Sequence, residues 1–238
     1  MGKTNRQKRH KTSQQSEERT ENDASAKPPL RLAVFDLDYT IWQPEMYQLY
    51  GEPTLKPIDN KYNKRLSAQV LKEARTTKAG YILTDRRNSP MRVFGGAAVA
   101  LSEIERLKAA GVDIQAAVAS KTDAPSWARI CMDHLVIDND CTTTLISCFD
   151  NGHLVEISYG SKRQHLTRLH KKTGIPFEQM AFFDNESGNI RSVSALGVKC
   201  FYTPRGMQIQ DWNKAKECFE LLPAPTNTTT TLDEKESS

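Results

Sequence analysis

The sequence predicts a doubly wound α/β domain, a mostly parallel sheet with helices on both faces. Three observations carry that expectation. Short, largely apolar runs (LRLAVF at 30–35, VDIQAAVA at 112–119, MAFF at 180–183 and VKCFY at 198–202) have the composition of strands buried on both sides. Stretches with helical spacing separate them, as in repeated strand–helix–strand units. Three of the runs stop at a polar residue, Asp36, Ser120 or Asp184. In such sheets ligands bind at the carboxyl ends of the strands, so these endings are where chemistry is sought.

The elements follow in order. Residues 30–35 form the first strand. Residues 42–65, rich in Pro, Gly, Tyr and Asn without a sustained period, read as a loop or small flap. LSAQVLKEART, from Leu66, reads as a mildly amphipathic helix. From Gly96, AAVALSEIERLKAAG places Val99, Ile104 and Leu107 near one stripe, with Gly111 as its stop. A strand over Val112–Ala119 follows. Thr122 or Asp123 then caps a helix whose early Pro125 suits a first turn, running to about Leu135. Residues 137–148 read as a loop with room for one short strand. HLVEIS alternates as a strand after the Asn151-Gly152 turn. Lys162–Lys172 reads as a helix ended by Gly174 and Pro176, MAFF as a strand reaching Asp184, and Ser187–Leu196 as a helix closed by Gly197. VKCFY is the last strand, and a final helix over Gln208–Leu221 carries Trp212 and Phe219.

The chain has 238 residues, a net charge of +4, 38% apolar and 26% charged residues. Residues 1–27 hold seven Lys or Arg, four acids and no aromatic residue; residues 223–238 are similarly polar. Neither can bury enough apolar surface to offset its ordering entropy, so two disordered tails flanking a domain at 28–222 are expected. Removing +3 for the first tail and −2 for the last leaves +3 on the domain, too little for a nucleic-acid groove. No apolar run follows Met1 and no stretch reaches membrane-spanning length, so neither a signal peptide nor a membrane partner is expected. Cys131, Cys141, Cys148, Cys200 and Cys218 form no CxxC pair. Reduced thiols in a cytoplasmic protein follow; Lys8, Arg9 and Lys11 leave a nuclear address open, although a solvated tail is the simpler reading.

Asp36-Leu37-Asp38-Tyr39-Thr40 follows the first strand. Residues two apart on an extended chain project to one side, so both carboxylates can face one crevice. Two close carboxylates repel unless a cation neutralises them, and Mg²⁺ suits oxygen ligands when the substrate is a phosphate. The plain reading is a turn with helix-capping aspartates. Ser120 could hold a phosphoryl oxygen through its hydroxyl and a backbone N–H; Lys162, after Gly160-Ser161, could neutralise a transferring phosphate; Asp184 could complete a metal shell. Singly these are a turn serine, a solvated lysine and a helix-start aspartate. Their order along the chain makes them a constellation.

VFDLDYT, VAS at Ser120, GSK at Lys162 and FFDNE at Asp184 resemble, in order, the four signatures of the haloacid dehalogenase superfamily of phosphotransferases. LAVFDLDYTIW, LTDRR, YGSKRQHLTRLHKKTGIPFEQMAFFDNESGNI and LGVKCFYTPRGM are similar to segments of its magnesium-dependent phosphatase 1 family. The resemblance spans roughly residues 30–220, with apparent insertions near 63–80 and 136–147, and it implies no large cap domain.

It further implies a Mg²⁺-dependent phosphatase acting through an aspartyl-phosphate on phosphotyrosyl proteins and aryl phosphates, or on sugar (fructosamine-type) phosphates. Asp36 would be the nucleophile, and Asp38 the acid and then the base. Mg²⁺ would be held by Asp36, Asp184 and, through its backbone carbonyl, Asp38. Ser120 and Lys162 would stabilise the transition state, and Thr40 would hold the turn. Asn185 departs from the pattern, which places a second acid there, so retuned or weakened Mg²⁺ affinity is expected. The alternative is a non-catalytic interaction protein on the same fold, favoured only by Asn185. A phosphatase of nucleic-acid ends or phosphoserine-rich tails would want a basic groove that +3 does not supply.

Overall fold

In the computed structural model, which describes residues 27–58 and 77–224, the chain runs β1 (Leu32–Phe35), β2 (Trp42–Gln43), β3 (Thr54–Pro57), β4 (Tyr81–Thr84), β5 (Arg92–Val93) and α1 (Gly95–Ala109). There follow β6 (Gln115–Ser120), α2 (Pro125–His134), β7 (Val155–Ile157), α3 (Lys162–Thr173), β8 (Met180–Asp184), α4 (Ser187–Ser194), β9 (Lys199–Tyr202) and α5 (Ile209–Cys218). The helix expected from Leu66 and nearly all of both expected tails lie outside the described residues.

Five strands form one parallel sheet of order β7-β6-β1-β8-β9, with Phe35 of β1 level with Val118 on one side and Phe183 on the other. The chain winds outward from β1 to β6 and β7, then returns to β8 and winds the other way to β9. The strand order therefore reverses at β1 and β8, where a crevice opens beyond the carboxyl ends.

The period of two along each strand divides the core. Ala33, Phe35, Ala116, Val118, Ala181 and Phe183 pack on one face with α1, α2 and α5; Phe35 and Phe183 stack with centroids 5.1 Å apart. Leu32, Val34, Ala117, Ala119, Met180 and Phe182 pack on the other with Leu166 and Leu169 of α3 and Val193 of α4. Both faces of the central strands are covered, which is why their sequences read as apolar runs rather than as alternation.

Several expectations are corrected in detail. Of the expected stripe Ile104 is buried and Leu107 packs partly buried against the core, but Val99 is 42% exposed; Ala97, Ala100 and Leu101 complete the buried face of α1. The N-cap of α2 is Ala124, not Thr122 or Asp123; the Thr122 hydroxyl accepts from the Ala124 N–H at 3.1 Å, one residue before the helix. Helix α5 stops at Cys218, and Phe219 is extended and buried beyond it. The 42–65 flap contains β2 and β3, which pair antiparallel with β5 and β4 in two short ribbons. Within 137–148 the Asp138 carboxylate accepts from the Thr142 and Thr143 N–H groups, and a helical turn follows at Leu145–Cys148.

Candidate active site

Asp36 follows β1, Asp184 ends β8, and Lys162 begins α3. Lys162 is delivered by a well-made helix start. The Ser161 N–H donates to Gln164 Oε1 at 2.9 Å, while the Gln164 N–H donates to Ser161 Oγ at 3.3 Å, a reciprocal cap. Gly160, at φ +144, lies where an added Cβ would come within 2.7 Å of that same Gln164 oxygen. The Lys162 ammonium donates to Asp36 Oδ1 and, at 2.6 Å, to the Ala119 carbonyl, and it lies 3.3 Å from Asp184 Oδ2. All three side chains are buried: Asp36 at 7% exposure, Lys162 at 4% and Asp184 at 0%. A buried charge is tolerated when paired, and here one cation is shared by two carboxylates.

Asp38 lies in the turn that carries the chain out of β1, with Tyr39 left-handed at φ 53 and its N–H donating to the Trp42 carbonyl at 2.9 Å. Trp42 Nε1 donates to Asp38 Oδ1 at 2.8 Å and the Met46 N–H to Oδ2 at 3.2 Å. Burial pushes this carboxyl up to about 6; the Trp42 hydrogen bond opposes the rise and the Asp36 charge adds to it. The Asp38 carboxylate is thus held by the flap rather than turned toward Asp184. Among the described residues no three His, Cys, Asp or Glu side chains converge as a metal cage. Asp36 and Asp184 bring two carboxylates to one ammonium, and the carboxylate of Asp38 is engaged by Trp42 and Met46 instead.

Asp184 is oriented by its own helix. The Glu186 N–H donates to Oδ1 at 2.7 Å, and Asn189 Nδ2 reaches both carboxylate oxygens. Burial, then the Asp36 charge, pushes the Asp184 carboxyl up, and Lys162 opposes them. Thr40 is fully buried and ties two loops together: its hydroxyl accepts from the Asn185 N–H at 3.1 Å, and its carbonyl accepts from the Met207 N–H at 3.1 Å.

Beside this cluster opens a cavity of about 390 Å³, whose walls include Asp36, Asp38, Lys162 and Asn185. Ser120, the last residue of β6, is 1% exposed and is not among its lining residues; Lys121 and Thr122 take that part of the wall. Glu45 and Glu186 also face the cavity, and the Glu45 carboxyl is pushed up by burial and then by the charges of Glu186 and Asp36. Sequence reasoning overlooked Trp42, Glu45 and Asn189. Asn189 stood in the quoted FFDNESGNI segment, five residues after Asp184, where a first helical turn brings it back to the strand end.

The acid phosphatase family matches residues 28–220. Magnesium-dependent phosphatase 1 of Homo sapiens is 32% identical over 189 residues, 79% of this chain and 86% of that protein. A HAD-like hydrolase superfamily protein of Schizosaccharomyces pombe is 27% identical over 168 residues, 71% of this chain and 82% of that one. A solved structure, the N-terminal part of a Bacteroides fragilis protein containing a phosphatase domain complexed with Mg, aligns at a TM-score of 0.48 and 15% identity over 82% of this chain and 41% of that one. No helix among the described residues is long and apolar enough to cross a membrane. With a family match over nearly the whole domain and a relative this similar along most of both chains, the protein belongs to the acid phosphatase family, among the magnesium-dependent phosphatase 1 relatives of the haloacid dehalogenase superfamily.

Proposed function

We propose that the chain hydrolyses phosphomonoesters through a phosphorylated Asp36. The arrangement of Asp36, Lys162 and Asp184 carries this reading: a carboxylate at the strand-order reversal, paired to a buried ammonium, with a second carboxylate beside it. Asp36 Oδ attacks phosphorus, and the ester P–O bond breaks as Asp38 gives its proton to the leaving oxygen. A water molecule then attacks the aspartyl-phosphate. Asp38 takes its proton, the P–O bond to Asp36 breaks, and inorganic phosphate leaves.

Lys162, fixed by the Ala119 carbonyl, offsets the negative charge of the phosphoryl oxygens. The carboxylate oxygens of Asp36 and Asp184 fit a hard cation, and the human relative carries magnesium dependence in its name. Asp36, Asp184 and the Asp38 carbonyl would hold Mg²⁺, which supplies positive charge to the phosphoryl oxygens. The substrates are aryl or phosphotyrosyl phosphates, or sugar phosphates small enough for the cavity.

A phosphoester panel with Mg²⁺, run on the wild type beside Asp36→Asn, tests the reading. Turnover by the wild type that is lost in excess chelator and in the variant is expected. Wild-type rates in Asp36→Asn would end the covalent mechanism.

A further inference from the structure

Two of the most exposed aromatic side chains in the described residues, Tyr47 at 72% and Tyr159 at 77%, line the same cavity as Asp36, Asp38 and Lys162. Exposed rings are ordinary when scattered singly. Two that converge on one polar site from separate segments are not scattered.

Each ring is mounted on an anchored stretch of backbone. Tyr47 follows Met46, whose N–H binds Asp38. Tyr159 lies between anchored Ser158 and Ser161, with Gly160 beside it. Ser158 is held through its carbonyl by His165 Nε2 at 3.2 Å and through its hydroxyl by Arg168 at 2.8 Å, and Ser161 is locked into its cap with Gln164. Their surroundings differ from those of Tyr50 and Tyr81, two other exposed tyrosines. The Arg87 guanidinium lies 3.6 Å over the Tyr50 ring and Lys78 stands over Tyr81. The Tyr47 hydroxyl accepts a long contact from Gln48 and hydrogen-bonds the Glu45 carboxylate, which leaves its ring face open, and no hydrogen bond or ring contact engages the Tyr159 ring among the described residues.

The side on which a leaving group sits follows from the proposed chemistry. In-line attack by Asp36 places the leaving oxygen opposite the nucleophile, and Asp38 must reach that oxygen to protonate it. The leaving group therefore occupies the Asp38 side of the cavity, where the Met46–Tyr47 backbone passes.

From this placement we infer that Tyr47 and Tyr159 are specificity-determining residues, forming a wall on which a planar leaving group stacks. This rests on the phosphomonoesterase reading above and adds the residues that choose between aromatic and saturated esters. A ring bound between or against two tyrosine faces gains dispersion and quadrupole attraction that a puckered saturated ring of the same size does not.

The test compares kcat/KM for benzyl phosphate and cyclohexylmethyl phosphate, whose leaving alcohols are alike in size and acidity. The wild type prefers the benzyl ester. The preference falls about fivefold in Tyr47→Ala or Tyr159→Ala and about twentyfold in the double variant, while Tyr→Phe at either position retains it. Free phosphotyrosine and a phosphotyrosyl peptide, assayed on the same proteins, show whether the ring is taken from a small molecule or from a protein chain. Hydrolysis of both esters with a ratio that stays within about twofold of wild type in the double alanine variant overturns the inference alone. Loss of the preference in the phenylalanine variants as well moves the role from the ring to the hydroxyl and also overturns it. No Mg²⁺-dependent turnover of either ester by the wild type overturns the inference together with the function on which it rests.

Discussion

Asn189 Nδ2 spans the carboxylate of Asp184, 3.1 Å from Oδ1 and 3.0 Å from Oδ2. One amide thereby fixes the plane of a fully buried acid, and a third contact, 3.1 Å to Glu186 Oε2, links that acid to the cavity mouth. Groups that orient a metal ligand commonly matter about tenfold to a hundredfold in metal affinity when removed. Asn189→Ala should raise the Mg²⁺ concentration for half activation by about tenfold, with a smaller effect on the rate at saturating Mg²⁺. A Mg²⁺ titration of initial rates reads this directly. An unchanged half-activation point would mean that the Glu186 N–H alone positions Asp184.

Asp36 and Asp38 should fail differently. Asp36→Asn removes the attacking oxygen, so no phosphoprotein forms. Asp38→Asn is isosteric and can still accept from one of the two donors, Trp42 Nε1 or the Met46 N–H, but it cannot activate water. With a good aryl leaving group it should accumulate an acid-stable, hydroxylamine-sensitive phosphoprotein. Mass spectrometry of the quenched variant reports it. A wild-type steady-state rate without accumulation would remove Asp38 from the acid–base role.

Asn185 stands on the cavity wall with its Oδ1 facing the Thr40 hydroxyl. A carboxylate there would add a negative charge about 5 Å from the proposed divalent cation, worth roughly 7 kcal/mol before screening and hydration reduce it severalfold. Asn185→Asp should therefore lower the half-activating Mg²⁺ concentration by about tenfold and raise the KM of an anionic substrate. Should Glu186→Gln weaken metal activation while Asn185→Asp changes nothing, Glu186 holds the second-acid role instead.

His165 gives a pH dependence of stability. It is fully buried, and burial, followed by the charges of Lys162 and Arg168, lowers it from 6.5 to about 4. The folded state therefore keeps it neutral while the unfolded chain takes up a proton below 6.5. Stability is complete above that value and is lost as pH falls toward 4, by about 3 kcal/mol over the window. His165→Gln, whose amide can still donate to the Ser158 carbonyl, should show a shallower fall. Urea unfolding of both proteins from about pH 7 to about pH 4 checks it; parallel curves would assign the acid loss to carboxylates.

The buried strands were legible because coverage on both faces leaves an unbroken apolar run: LAVF and MAFF were read directly, with Asp36 and Asp184 at their ends. Helix α3 was legible from its glycine stop, and Gly174 does end it, left-handed at φ 70. The flap ribbons were not, since β2 and β5 are two residues each and too short to show a period. Val99 misled because a stripe of alanines buries as well as a stripe of larger residues and leaves a weaker signal. Within the site, the aspartates and Lys162 stood at strand ends and helix starts. Trp42 acts on Asp38 through one hydrogen bond and Asn189 on Asp184 through two, which residue type alone does not announce.

The contacts that make the site are far apart along the chain: Asp36 and Lys162 are separated by 126 residues, and Thr40 and Asn185 by 145. Closing loops of that length is entropically unfavourable and comes late for contacts of high sequence separation. Helices α1 and α2 can form beforehand from local interactions, but the ion cluster exists only once β8 has docked beside β1. In refolding, recovery of phosphatase activity should therefore lag the return of helical ellipticity, and a fragment ending before β8 would carry Asp36, Asp38 and Lys162 without a working centre. Activity in this protein is a gauge of whether β8 has arrived beside β1.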